Sequence, residues 1–140
     1  MPKLIYFVAC EKVLVGEEAK VASLIDLLDT IKVQTPPVEK DIQAGMSWAM
    51  VSFWLKQPED EEKVYQQRTR IVSPDGQSGA EAVVDFEMKA RSHRNTVKVF
   101  GFPIAQPGEY FATLSIRETG ETEWNDVATY PIRVEHIAPQ

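Results

Sequence analysis

The chain has 140 residues, of which 44% are hydrophobic and 26% charged, and its formal net charge is −6. The length fits a single domain over residues 1–140, and the composition is that of a globular protein rather than a disordered or fibrous one. Because an acidic surface repels phosphate backbones and anionic membranes, neither nucleic acid nor a membrane is an expected partner.

Cysteine usage bears on the cell compartment. The single cysteine, Cys10, permits no internal disulfide, which fits a reducing environment and predicts a cytoplasmic protein. Its position after Val8 and Ala9 loosely resembles a lipoprotein cleavage site. The apolar run over residues 4–9 is, however, shorter than the core of about 7–15 residues in secretion signals. We therefore interpret this segment as the first β-strand.

Short runs rich in Val, Ile, Thr and aromatic residues alternate with Gly, Pro, Asp and Asn along the chain. This spacing predicts an all-β fold, a single antiparallel β-sandwich of about eight strands. The clearest predicted pair is the last one, joined by the loop around Gly120. The predicted strands cover residues 4–15, 23–33, 46–56, 63–72, 82–89, 96–104, 109–117 and 127–135.

Two segments leave alternatives open. Residues 22–33 contain Leu24, Leu28 and Ile31 at helical spacing, but the run ends in β-branched residues. We favour a strand there and keep a helix as the alternative. Residues 35–45 form the longest predicted irregular segment, because two consecutive prolines disfavour a central strand. A single helical turn over residues 38–43 is an alternative within it.

Residues suited to catalysis or metal binding are few, so we predict a protein that is not an enzyme and needs no cofactor. There are two histidines, His93 and His136, no G-x-S-x-G motif, and a cysteine within an apolar strand. The histidine and cysteine positions lack zinc-site spacing. Two acidic loops, residues 59–62 and 121–126, leave a weak calcium site as an alternative, although calcium needs six to eight converging oxygens.

Aromatic placement is the most informative pattern. In the predicted strand over residues 46–56, both alternating faces are apolar. The same holds for the predicted strand over residues 96–104, which contains Phe100. Because a strand in a monomer normally exposes one polar face, we predict that an outer face here is covered. Residues 35–45, the first two strands, a second copy of the chain or a ligand are the alternatives for the cover. The predicted interface consists of Trp48, Met50, Trp54, Phe100 and Phe102.

Several short motifs resemble those of a family of uncharacterised bacterial proteins of about this length. They are Ala9-Cys10-Glu11-Lys12-Val13, Ser23-Leu24-Ile25-Asp26-Leu27-Leu28-Asp29, Pro74-Asp75-Gly76 and Pro107-Gly108-Glu109-Tyr110. The resemblance implies a small immunoglobulin-like sandwich of unknown function, and it carries over no catalytic residues.

The leading hypothesis for function is a bacterial interaction or structural module that binds a protein partner or a second copy of itself as a homodimer. One alternative is a small-molecule or carbohydrate binder that uses Trp48, Trp54 or Trp124, because flat aromatic rings stack on sugar faces. The other alternative is a weak calcium-dependent binding module.

Overall fold

The chain folds into two β-sheets, and a computed structural model describes residues 1–16, 21–34 and 43–137. The all-β prediction is confirmed, with nine strands among the described residues in place of about eight. The only helix in these ranges is a short 3-10 helix, Pro58–Asp60. It has neither the length nor the apolar character needed to cross a membrane. The strands are β1 Lys3–Val15, β2 Ala22–Leu27, β3 Thr30–Val33, β4 Gln43–Leu55, β5 Val64–Val72, β6 Ser78–Glu87, β7 Ser92–Pro103, β8 Gly108–Glu118 and β9 Asn125–His136.

The two sheets differ in strand order and in direction. The first sheet has the order β2-β1-β4-β7, and the second has the order β3-β9-β8-β5-β6. Neighbouring strands are antiparallel except β3 and β9, which run parallel. The two sheets are thus mostly antiparallel, in line with the predicted antiparallel fold, with one parallel pair at an edge of the second sheet. The predicted pairing of the last two strands across Gly120 is confirmed by β8 and β9.

The ambiguous segment over residues 22–33 forms strands rather than a helix, but two strands instead of one. The chain leaves the first sheet after β2, passes through Leu28 and Asp29, and enters the second sheet as β3. Leu28 is buried, its N–H donates to the carbonyl of Ala9, and its carbonyl accepts from the hydroxyl of Tyr130 at 2.6 Å. This crossing closes one side of the molecule between the two sheets.

The predicted irregular segment over residues 35–45 lies largely outside the described residues, as does most of the alternative helical turn over residues 38–43. The described chain resumes at Gln43, the first residue of β4, so residues 43–45 are strand. Gln43 pairs with Pro103 of β7.

Side chains from both sheets pack into one hydrophobic core. Its fully buried large members include Trp54 and Phe102 from the first sheet and Tyr65, Tyr110 and Leu114 from the second. A second, smaller cluster lies apart from this core on the first sheet. It consists of Cys10, Ala49 and Val51, with Tyr6, Val8, Val13 and Leu24 packed against it.

Candidate binding cleft between two open sheet edges

The structure reverses the face that was predicted to point outward in β4. Trp48, Met50 and Trp54 belong to the core and are at most 4% exposed, and Phe102 of β7 is completely buried beside them. The largest side chains fill the space between the sheets, while small ones such as Ala49 occupy the other face. The other face of this strand is also apolar, and its Ala49 and Val51 are buried in the smaller cluster. Because four of the five predicted interface residues are buried, they form no exposed surface on the folded chain, although Trp48 and Met50 line the interior of a cleft between the sheets.

Phe100 is the exception within the predicted set. Its side chain is 76% exposed. Phe100 belongs to β7, the edge strand of the first sheet, and pairs with Ser47 of β4. A phenylalanine so exposed on an unpaired sheet edge is unusual, since burying its ring removes a large apolar area from water. Phe100 therefore marks the part of the predicted interface that a ligand can reach.

Two open sheet edges face each other beside Phe100. β7 is the edge of the first sheet and β6 is the edge of the second, although the two strands follow each other in the chain. The opposite side of the molecule is closed by the crossing at Leu28, but no strand joins β6 to β7 within the described residues. A seam between the sheets is left on this side.

One end of the seam is closed by aromatic stacking close to the link between the two strands. The rings of Phe86 and His93 lie 5.2 Å apart and nearly parallel, with an interplanar angle of 16°. Trp54 and Tyr65 contact the same phenylalanine from the core, and Met88 is buried in the link itself. These contacts hold β6 and β7 together at this end, whereas the two strands lie apart at the other end of the seam.

The other end of the seam is an open cleft of about 510 Å³. Its lining includes apolar core side chains, among them Trp48, Met50 and Ile71. One wall is the β6 segment Ser78-Gly79-Ala80-Glu81-Ala82, in which most side chains are small, and the other wall is β7 from Val97 to Gly101. The cleft thus offers an apolar interior between two strand edges, and the β6 edge carries mostly small side chains.

A β-bulge shapes the β7 wall of the cleft. The register between β4 and β7 shifts between Ala44 and Ser47, opposite Gly101, whose φ is +90°. The positive φ of Gly101 favours glycine, and a Cβ atom there would also force the side-chain end of Gln43 to move. The carbonyl of Gly101 accepts a hydrogen bond of 2.8 Å from the indole of Trp48, which fixes the bulge to the core.

The turn beside the cleft is polar and ordered by hydrogen bonds. Ser73 and Gln77 line the cleft, and the hydroxyl of Ser73 donates to the carboxylate of Asp75. Gln106, which also lines it, donates to the same carboxylate at 2.9 Å. These two hydrogen bonds, that from Ser73 first, lower the pKa of Asp75 below its usual value. The Pro-Asp-Gly turn predicted from the sequence is therefore tied to the cleft.

A buried polar network lies behind the closed end of the seam. The side-chain oxygen of Gln67 accepts hydrogen bonds from Ser52, Trp54 and Asn95, and Asn95 in turn contacts a ring nitrogen of His93 at 2.8 Å. Since Ser52 is bonded to an amide and not to the histidine, the arrangement is not the nucleophile and base pair of a hydrolase. The network links the sheets by hydrogen bonds.

The three tryptophans named as candidate ligand platforms are not brought together. Trp48 and Trp54 are in the core, whereas Trp124 is half-buried and lies beneath the guanidinium groups of Arg68 and Arg117. Nor do the acidic loops converge, because no group of three or more His, Cys, Asp or Glu side chains within the described ranges could hold a metal ion. Sequence reasoning missed the cleft, because it forms between strands of different sheets, although Phe100, which lines it, was among the predicted interface residues.

Comparison with known protein families shows which family the chain belongs to. Residues 5–135 match DUF6941, a family of unknown function. The chain belongs to this family. The match spans nearly all of the chain and confirms the resemblance to an uncharacterised family noted from the short motifs. No curated protein sequence matches.

A search of solved structures finds similarity to the N-terminal domain of PorA. That structure shares 13% sequence identity with the chain at a TM-score of 0.32, and the alignment covers 96% of this chain and 100% of the other. At this level of similarity the match does not bear on function.

Proposed function

We propose that the protein is a non-enzymatic binding module that takes an extended, apolar peptide segment of a partner protein into the cleft between β6 and β7. The observation that carries this proposal is the pair of facing sheet edges over an apolar interior. Open edges carry unpaired backbone N–H and C=O groups, and an extended peptide satisfies them by adding as a strand.

The lining of the cleft indicates which peptide sequences it would bind. Successive side chains of a strand point to opposite sides, so alternate residues of the ligand would enter the cleft beside Trp48, Met50 and Ile71. The remaining residues would face solvent next to the exposed ring of Phe100. The expected ligand is therefore a segment in which apolar residues occupy every second position.

Selection from a phage-displayed library of random peptides tests this proposal. The affinity of a selected peptide for the intact chain is then measured by fluorescence anisotropy. We expect Ala80→Trp, which fills the cleft, and Phe100→Ala, which removes its exposed ring, each to weaken binding by about tenfold or more. Backbone amides of β6 or β7 should become protected from hydrogen exchange when the peptide binds.

Matched variants serve as controls. Val83 is exposed on β6 outside the cleft, and Phe111 is exposed on β8, so Val83→Trp and Phe111→Ala should leave the affinity unchanged. A selection without binders, or equal affinity for Ala80→Trp and Val83→Trp, would refute the proposal.

A second candidate is a small apolar molecule in the same cleft, because its volume lies within the usual range for ligand sites of roughly 300–1,000 Å³. Trp48 lines the cleft and would report such a ligand by its fluorescence. A saturable change with the dye anilinonaphthalene sulfonate that Ala80→Trp abolishes, together with a failed peptide selection, would favour this candidate.

We further propose a cytoplasmic bacterial protein that is one immunoglobulin-like sandwich domain. Self-association as a homodimer through the surface around Phe100 is part of this proposal. Light scattering coupled to size-exclusion chromatography tests it. A dimer that Phe100→Ala dissociates and Phe111→Ala does not would support it, and a monomer at high concentration would exclude it.

A further inference from the structure

On the outer face of the second sheet, we propose a second site that binds a phosphate group through Arg68 and Arg117, which contact Trp124, and the neighbouring Arg70. Arg68 and Arg70 occupy alternate positions of β5, and Arg117 lies on the neighbouring β8, paired with Gln66. The strand register therefore collects three guanidinium groups on one face of a chain with 15 basic and 21 acidic residues.

Two of the arginines share one aromatic ring. The Cζ atom of Arg68 lies 4.7 Å from the ring centre of Trp124, and that of Arg117 lies 4.1 Å from it. Attraction between a cation and the ring holds each side chain in place. Both guanidinium groups are cationic, so an anion bound beside Trp124 would interact favourably with both.

Several N–H donors of these three arginines have no acceptor among the described residues. Arg68 makes no hydrogen bond and no ion pair with the described residues, and its Nε and that of Arg70 are buried without a partner. Arg70 has only a distant carboxylate, that of the exposed Asp126 at 4.0 Å. Arg117 donates to Gln66 and to the carbonyl of Thr122, neither of which is charged.

These features favour a phosphate group over a carboxylate. Guanidinium groups form paired hydrogen bonds with both, but a phosphate carries up to two charges and three acceptor oxygens, which suits three arginines on one face of the sheet. Acidic side chains lie next to the site, since Asp85 accepts a hydrogen bond from Gln66 and Asp126 lies 4.0 Å from Arg70. These acids would repel an extended nucleic-acid backbone, so a single phosphate group is the expected ligand.

Nuclear magnetic resonance on the isotope-labelled full chain tests the site at neutral pH. Inorganic phosphate and phosphoserine should shift the indole N–H signal of Trp124 and the arginine Nε–H signals in a saturable manner. Chloride and acetate at matched ionic strength should not. The tighter of the two phosphate probes tells whether a free ion or a phosphorylated side chain is the source.

Variants separate the site from general charge effects. We expect Arg68→Gln and Arg117→Gln to weaken phosphate binding by a factor on the order of ten or more, since each removes a charged donor. Arg68→Lys keeps the charge but loses the paired geometry and should bind almost as weakly. Arg133, on β9 and paired with Glu109 and Glu135, provides the control variant Arg133→Gln, which should bind normally.

The proposal fails if acetate produces the same shifts as phosphate, or if Arg68→Gln and Arg133→Gln respond alike. Thermal melting of each variant confirms that it is folded before the titration. Because this site is on the outer face of the second sheet and the cleft lies between the sheets, peptide binding is tested independently of phosphate binding.

Discussion

The side-chain oxygen of Gln67 on β5 accepts a hydrogen bond of 3.1 Å from the indole nitrogen of Trp54 on β4, which joins the two sheets inside the core. The same oxygen accepts from the hydroxyl of Ser52 at 2.6 Å and from the amide of Asn95 at 2.9 Å. All four side chains are buried, so one acceptor satisfies three donors that have no access to water.

Replacing this acceptor should be costly. We expect Gln67→Leu to lower the free energy of unfolding by at least about 2 kcal/mol, because each buried donor without an acceptor costs about 1–3 kcal/mol. Ser52 and Trp54 still contact each other, which limits the loss. Urea denaturation measures it. Gln66→Leu, on the adjacent outward position, should cost less than about 1 kcal/mol, and an equal loss in both variants would contradict the role of the network.

The crossing between β2 and β3 provides a second test. Leu28 is 7% exposed and packs in the core, whereas its neighbour Leu27 is 54% exposed. We expect Leu28→Ala to reduce the free energy of unfolding by about 2–5 kcal/mol through the cavity that it leaves. Leu27→Ala should change it by less than about 0.5 kcal/mol. Similar effects of the two substitutions in urea titrations would mean that the chain does not cross at this residue.

The contact between Tyr65 and Asp60 makes the free energy of unfolding depend on pH in the alkaline range. The hydroxyl of Tyr65 donates to the buried carboxylate of Asp60 at 2.6 Å. Burial first, and then this hydrogen bond, raise the pKa of Tyr65. A folded-state pKa above the unfolded value means that the stabilisation is complete below about pH 10 and is lost as pH rises from there.

Tyr65→Phe should therefore reduce the loss of stability above about pH 10, measured by urea denaturation at several pH values. Burial also raises the pKa values of Tyr110 and Tyr130, so part of the alkaline loss should remain in this variant. A decline as steep as that of the wild type would show that Tyr65 does not contribute.

Cys10 tests whether the second apolar cluster is covered. Its side chain is completely buried, and burial raises the pKa of the thiol, which disfavours the reactive thiolate. We expect a thiol reagent to modify Cys10 slowly in the native protein and rapidly in denaturant. Leu14→Cys in a Cys10→Ala background is the control, since Leu14 is 56% exposed on the same strand. Equal native rates at the two positions would show that the cluster is open to solvent.

Strand patterns with one apolar face were predictable from the sequence. In β8, Tyr110, Ala112 and Leu114 are buried at alternate positions, as their spacing predicts. β4 is different because both of its faces are apolar, so alternation identifies two rows but not which row enters the core. The volume of Trp48 and Trp54 decides this, since only the space between the sheets holds two indoles and supplies acceptors for their N–H groups.

Neither proposed site was visible in one segment of sequence. The cleft depends on β6 and β7 joining different sheets, and the arginine site depends on the register that places Arg117 near Arg68. Both are relations between residues far apart in the chain.

The sequence by itself determined the all-β class, the turn at Pro74-Asp75-Gly76, most strand positions and the membership of the family. These features follow from side-chain alternation and turn-forming residues, which act over a few neighbouring positions. The tertiary structure alone decided the crossing at Leu28, the inward face of β4 and the open seam at Phe100. Those choices rest on packing and hydrogen bonding between distant segments, which no local pattern specifies.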